Sequence, residues 1–474
     1  MYIFTYPAEK YDETNLNKAE IRTLIRKHIS LAGKLKKNMD YYKGQQAILG
    51  RPKEESAPNN KLVCNHARDI SDTATSYFIG ESITYKSELD ISPLTDALEE
   101  AGADEADGDN GLDLSIYGRA YEYIYAKEEE TTLVIKNMPA ESTFMVYDDS
   151  IEQRELFAVY YYVKKDDTEQ KDTQYIATVL TKNYKYVLNI QNDDSPQTLY
   201  ETAEPHFMGE VPVIEYLNNK LGIGDFELQI PLIDAYNAIM SDRVNDKEQF
   251  IDSILAIYGT ILSDEDYEVD EEGNGDGKGT EQAMKALKKN KLLELPDGTK
   301  AEYLTRTFDE SGVEILRKAI EQDIHKFSHI PCMTDEAFGG NVSGVAMEFK
   351  LLGMENITKI KTRYYKKGLR KRIRIFQTWL ALKGINVDTT GIKQIFTRCM
   401  PKNLLEISQW VSNLWGKVSK KTLLSQIPFI DDVETELAAV EREEELAVKR
   451  QQEIFGNEPN TPLEGDEDAE EENE

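Results

Sequence analysis

FGGNVSGVAMEFKLLGM, Phe338 to Met354, runs a glycine-rich turn into a long apolar-periodic segment, the layout in which a phosphate-cradling loop precedes a helix. That chemistry needs Lys and then Ser or Thr directly after the last glycine, to reach the phosphates and hold magnesium, and here Gly344 is followed by Val345 and Ala346. Gly339, Gly340 and Gly344 do not make the nested G-x-G-x-x-G of a dinucleotide site either. A second stretch, DEEGNGDGKGTE, sets Asp270, Glu272, Asn274, Gly275 and Glu281 at calcium-loop positions one, three, five, six and twelve. Against calcium, position three is Glu rather than Asp or Asn, Gly277 stands where an apolar anchor belongs, and there is no second copy; a mobile acidic loop tip is the plainer reading. His325 and His329 are one helical turn apart, with Glu321 a turn earlier and Cys332 beyond, a spacing that would put metal ligands on one helix face. Polar surface or a subunit contact, on a helix that ends at Pro331, explains the same pair without metal. No H-E-x-x-H or G-x-S-x-G occurs, so no catalytic residue, metal or cofactor is assigned.

The remaining stretch is KIKTRYYKKGLRKRIR, Lys359 to Arg374, with nine Lys and Arg and no acid. Lys366, Lys367, Arg370, Lys371 and Arg374, interleaved with Tyr364, Tyr365 and Phe376, offer either phosphate contacts or pairing with acids of a neighbouring subunit. The whole chain argues for the second. Its 474 residues carry a formal charge of −31, and from Asp431 to Glu474 there are 18 acids against 3 bases, about half the total excess. Tight, general DNA binding draws most of its affinity from phosphate neutralisation and would show the opposite balance.

The length suits roughly two to four domains. MYIFTYPAEKYDE lacks the basic flank and apolar core of a signal peptide, and no apolar run reaches the ~18–20 residues of a spanning helix, which predicts a soluble intracellular protein. Cys64, Cys332 and Cys399 are too scattered for a disulfide framework or a zinc site.

The elements that must position these residues follow from periodicity. Apolar positions from Ile21 to Tyr42 predict an amphipathic helix over Asn17–Lys43, and the stretch from Asn60 predicts a second helix stopped at Gly80, then a short strand to Tyr85. An acidic, glycine-bearing turn region is expected over Glu99–Asp113. From Leu114 to Ile214 the period drops to two and the residues are Tyr- and Val-rich, which predicts an antiparallel β domain. Long helices are expected over Phe226–Tyr258, Asp309–Ile330 and Val345–Lys383, with Gly353 and Gly368 as flexible points in the third. The first two would form a hairpin-like stalk holding, between their far ends, an acidic loop, a short helix and a hairpin turning at Pro296-Asp297-Gly298. After Gly384 the pattern is helical and amphipathic to about Phe455, and the rest is an acidic tail of disordered composition.

In this order, DEAFGGNVSGVAMEFKLLGMEN before the basic helix, PLIDAYNAIMSDRVNDKEQFIDSIL, NHARDISDTATSYFIGESITY and DYYKGQQAI resemble the portal, or head-to-tail connector, proteins of siphovirus-type tailed bacteriophages, over about Asn17 to Arg374. The resemblance implies an α+β, portal-type fold that forms closed rings, typically of twelve subunits, at one capsid vertex. It implies a β-rich wing over 1–225, a first stem helix over 226–262, a small α/β clip over 263–308 and a second stem helix over 309–330. A tunnel-loop region over 331–344, a kinked wing helix over 345–385, a helical crown over 386–455 and a disordered acidic tail over 456–474 complete it.

Phe338, Gly339, Gly340, Asn341, Val342 and Ser343 would form the tunnel loop facing the DNA channel, where small flexible residues let a lip lie close to the duplex. Asp266, Glu268, Asp270, Asp297 and Gly298 would mark the clip surface that docks partners. The partners implied are double-stranded DNA, the terminase large subunit, a head-completion adaptor, and scaffold and major capsid proteins, with no membrane. A second class stays open from the residues themselves: a metal-dependent DNA-processing enzyme using the acids of 264–276.

Overall fold

The computed structural model of the chain describes residues 3–52, 58–127, 131–163, 175–190, 203–251, 254–258, 300–304, 310–333, 344–398, 404–425, 427, 430 and 433–455. It divides into two compact units, residues 1–339 with 349–399 and residues 340–348 with 400–474. No helix among the described residues is long and apolar enough to cross a membrane.

The larger unit opens with strand β1 (Phe4–Tyr6) and helix α1 (Lys18–Tyr42), capped by Asn17, whose side chain accepts from the Ala19 N–H. Ile21, Leu24, Ile25, Leu31 and Leu35 bury one face of α1. His28 lies on that face, 2.8 Å from the Tyr161 hydroxyl and with its ring 4.9 Å from Phe144. Burial, and then the Arg119 charge, push its pKa down to about 4, so it packs as a neutral ring. The partner sheet runs in the order β1, β5 (Thr143–Asp148), β6 (Glu155–Val163), β7 (Tyr175–Leu180), β8 (Tyr184–Ile190), β9 (Glu204–Pro205). All pairs are antiparallel except β1 with β5.

Helix α2 (His66–Ile79) ends at Gly80 and strand β2 (Thr84–Lys86) follows. The acidic stretch expected as a turn, Glu99–Asp113, instead holds the end of one helix, α3 (Ser92–Glu100), and most of a second, α4 (Ala103–Tyr117). Leu94, Leu98, Ala101, Ala103, Ala106 and Leu114 are all buried in one core cluster, and the polar Asp107 and Asn110 are buried beside them because Arg372 meets the first and Glu122 the second. Gly118 ends α4 at φ 76, where a Cβ would lie 2.4 Å from the Gly222 backbone, so the turn into the next strand requires glycine. That strand, β3 (Arg119–Ala126), lies between β10 (Val213–Leu217) and β4 (Leu133–Met138) in a three-stranded antiparallel sheet.

Helix α5 (Ile230–Ile251) and helix α6 (Glu310–Ser328) run antiparallel, tied by Arg243 to Glu314 at 2.7 Å and Lys247 to Glu310 at 3.0 Å. The helix predicted to reach Tyr258 ends at Ile251 instead: Ile254–Tyr258 is strand β11, paired antiparallel with β12 (Lys300–Leu304). A five-residue apolar run is ambiguous between helix and strand until its partner is known. Helix α7 (Gly344–Leu382) follows, without interruption over 39 residues. The expected continuous helical pattern after Gly384 is broken by strand β13 (Lys393–Ile395), which pairs with β2 and keeps these residues in the larger unit.

Gly368, expected as a flexible point in that helix, is instead a place where its backbone rests directly on the sheet. A Cβ there would lie 2.3 Å from Cε1 of the fully buried Tyr216, whose ring stacks on Tyr365 at 4.3 Å. The smaller unit contains α8 (Leu404–Leu414), α9 (Lys420–Leu424, capped by Ser419) and α10 (Val433–Phe455), with Lys420 3.0 Å from Glu444. Among its described residues only Leu423 is a buried apolar side chain, whereas Trp410, Trp415, Leu446 and Val448 are exposed.

Replacing Gly368 by Ala should therefore force Tyr216 or α7 to shift, costing about 1–3 kcal/mol. Equilibrium denaturation of Gly368→Ala should show a lowered midpoint, while Gly33→Ala, with open space around it, should be neutral or better.

Candidate functional site

Helix α7 carries the basic run, and packing decides what each cation does. At 100° per residue, Tyr365, Leu369, Arg372, Ile373 and Phe376 fall on one side and are buried in the core shared with α3, α4 and the three-stranded sheet. Arg372 is fully buried. Its Nε donates to Glu122 Oε1 at 2.9 Å, and its Nη2 donates to Asp107 Oδ1 at 2.6 Å and to Glu122 Oε2. Tyr216 donates to Glu122 at 3.0 Å, Asn110 donates to the same carboxylate at 3.0 Å, and the Tyr365 hydroxyl donates to Asp107. Burial alone would lower the Arg372 pKa; the Asp107 and Glu122 carboxylates outweigh it and hold it well above the usual value.

The other cations divide by face. Lys371 is buried, paired with Glu155 and donating to the Val213 carbonyl at 2.7 Å, and Lys361 is buried against Asp225 at 2.7 Å. Arg374 makes a two-pronged contact with Glu210, at 2.6 and 3.0 Å. Lys366 lies 5.6 Å over the Phe396 ring. Lys371 and Arg374, expected to face phosphates or a neighbour, are thus held within the chain. Lys367 and Arg370 are exposed, with Arg363 a turn before them.

The other expected sites fall differently. Phe338, Gly339, Gly340, Asn341, Val342 and Ser343 lie outside the described residues, as do Asp266, Glu268, Asp270, Asp297 and Gly298 and the whole calcium-like loop to Glu281. The described chain leaves at Tyr258 and returns at Lys300, on strands paired in register, so the ends of that excursion are held together. His325 and Glu321 are taken up separately: His325 Nδ1 is 3.1 Å from the Ile330 carbonyl, and Glu321 accepts from Arg317 at 2.8 Å. Among the described residues no group of three His, Cys, Asp or Glu could hold a metal ion. Arg317 also donates to Glu314 and to the Tyr236 hydroxyl, joining α6 to α5, and with Arg243 it lowers the Glu314 pKa to about 2.

Sequence reasoning missed Asp107, Glu122 and Asn110, which anchor α7. A signal was present: Arg372 sits at helical spacing among Leu369, Ile373 and Phe376, so a cation on the apolar stripe had to find buried acids.

A helical stalk, a long helix pinned by buried ion pairs, and a six-stranded and a three-stranded sheet beside two strand pairs make this a protein of mixed helix and sheet. The family described as "Phage portal protein, SPP1 Gp6-like" matches residues 21–450, and the chain belongs to that family. Among relatives, it is 26% identical over 462 residues to the portal protein of Bacillus phage SPP1, covering 92% of this chain and 85% of the relative. It is also 26% identical over 331 residues to the portal protein of a Clostridium phage, phiCD119, covering 65% of this chain and 67% of the relative. Among solved structures, one described as the neck of an empty GTA particle matches at TM-score 0.46 and 10% identity, over 76% of this chain and 89% of that one.

Arg372→Met leaves Asp107 and Glu122 buried without their counter-charge and should cost about 3–5 kcal/mol. In a denaturation experiment, adding Asp107→Asn and Glu122→Gln to Arg372→Met should recover a measurable part of that loss; no recovery would mean the three groups do not act as a unit.

Proposed function

We propose that this chain is the portal subunit of a tailed phage, a structural conduit in which copies close into a ring at one capsid vertex around a channel for the genomic duplex. In this reading residues 1–225 form the wing with the body of α7, α5 and α6 the stem, 263–308 the clip and 386–455 the crown. The clip docks the terminase large subunit during packaging and an adaptor afterwards; scaffold and capsid proteins surround the ring, which resides in the virion. Residues 338–343 form the lip that touches the passing duplex.

The observation that carries this reading is the α5–α6 stalk, whose far ends lead into the paired strands β11 and β12, inside a family match running from residue 21 to 450. Two physical features support it. The smaller unit leaves Trp410, Trp415, Leu446 and Val448 exposed, the behaviour of surface completed by neighbouring copies. A charge of −31 suits a conduit, because a cationic wall would hold the duplex through counterion release whereas an acidic one lets it slide.

Purified protein, with its natural scaffold supplied, should give annular particles with a central hole in electron micrographs. Magnesium- or calcium-dependent cleavage of DNA without rings would instead favour the enzymatic reading of the acids at 264–276. Within the conduit reading, Val342→Trp should leave rings intact and reduce the yield of DNA-filled heads at least severalfold; undiminished packaging would remove 338–343 from the channel.

A further inference from the structure

The ring reading needs two different surfaces on one chain that fit each other, since a head-to-tail contact joins unlike patches. The outer side of α7 supplies one. Opposite the buried Tyr365–Arg372–Phe376 side, Arg363, Lys367 and Arg370 follow at i, i+4 and i+7, all exposed, and among the described residues none of the three has an ion-pair partner. Earlier on the same line stand Phe349, Leu352 and Ile360, exposed by 73%, 50% and 45%. Phosphates offer nothing to those three apolar side chains, so the row as a whole suits a protein partner.

The second surface is the edge made by α3 and α4. Asp96, Glu99, Glu100, Asp104, Glu105 and Asp109 are exposed, again without ion-pair partners among the described residues. Both helices turn their inward positions, Leu94, Leu98 and Ala106 with Asp107, into the core they share with α7, and Asp107 meets Arg372 there. The acidic edge and the basic row therefore look outward from opposite sides of one packed layer. Facing away from each other, they do not neutralise each other within a chain, and their charges are complementary.

We propose that the outer row of α7, Arg363, Lys367 and Arg370 with the apolar residues before them, docks on the acidic α3–α4 edge of a second copy of this chain. The contact rests on the ring reading above and supplies its wing-level interface. Its strength is in exposed charge, so it weakens as salt shortens the range of the interaction.

Two charge reversals test it: Arg363→Glu/Lys367→Glu/Arg370→Glu, and Asp96→Lys/Glu99→Lys/Glu100→Lys. All six positions are solvent-facing, so both variants should keep the wild-type unfolding temperature by circular dichroism. Each alone should lower the ring count in micrographs and native mass spectra at least tenfold at physiological salt. An equimolar mixture should restore rings containing equal numbers of the two variants, because alternation makes every contact complementary again. The proposal fails if either folded variant closes rings as the wild type does, or if the mixture stays dispersed. It also fails if the basic-row variant keeps its rings and loses only DNA retention, which would assign the row to the duplex. A wild-type chain that forms no rings under the same conditions overturns the ring reading itself, and this contact with it.

Discussion

The fully buried guanidinium of Arg372 decides how the longest helix of the molecule lies. A single cation there would be ruinous in the core without counter-charge, and Asp107 from α4 and Glu122 from β3 provide it from two directions. The pair of carboxylates, themselves fixed by Tyr365, Tyr216 and Asn110, leaves α7 one rotation about its axis in which Nε and Nη2 of Arg372 reach both acids. A slip of one residue would turn the helix by 100°, pull Arg372 from its acids and drive an outward cation into the core. Apolar residues in these positions could pack as stably, but they would set the rotation far less sharply.

Other groups reinforce that rotation along the helix. Lys361 reaches Asp225 on the segment before α5, Lys371 reaches Glu155 on β6 and the Val213 carbonyl on β10, and Arg374 reaches Glu210. Gly368 lets the backbone rest on Tyr216 between them. The helix is thus tied in turn to the segment leading into the stalk, the large sheet and the small sheet.

Much of this was legible in the sequence, and what was hidden has a common cause. Helices α1, α2, α6 and α7 announce themselves because their apolar residues recur every three or four positions and because Gly80, Pro331 and Gly384 stop them. Helix α4 was obscured because it is rich in Asp, Ala and Gly, which reads locally as turn; what makes it a helix is burial of its apolar residues in a core completed by a segment some 260 residues away. Strand β11 was hidden by the same kind of distance, since Ile254–Tyr258 continues the helical spacing of α5 until β12 claims it. The nine cations of the basic run looked alike in composition. Only the helical phase, anchored by Arg372, separates those that hold the chain together from those left facing outward.

For a chain that works alone, a few degrees of freedom in that phase would matter little. For one that meets copies of itself head to tail, the direction in which one surface points relative to its complement is repeated at every contact, and an angular error in one subunit accumulates around the assembly until closure fails. A buried, hydrogen-bonded ion cluster that sacrifices some stability for a single orientation is a sensible device in that setting, because packing of apolar side chains tolerates small rotations that a guanidinium held between two carboxylates does not. The same reasoning separates the paired charges from Arg363, Lys367 and Arg370: the first set the geometry of the subunit, and the second face outward, open to meet something else.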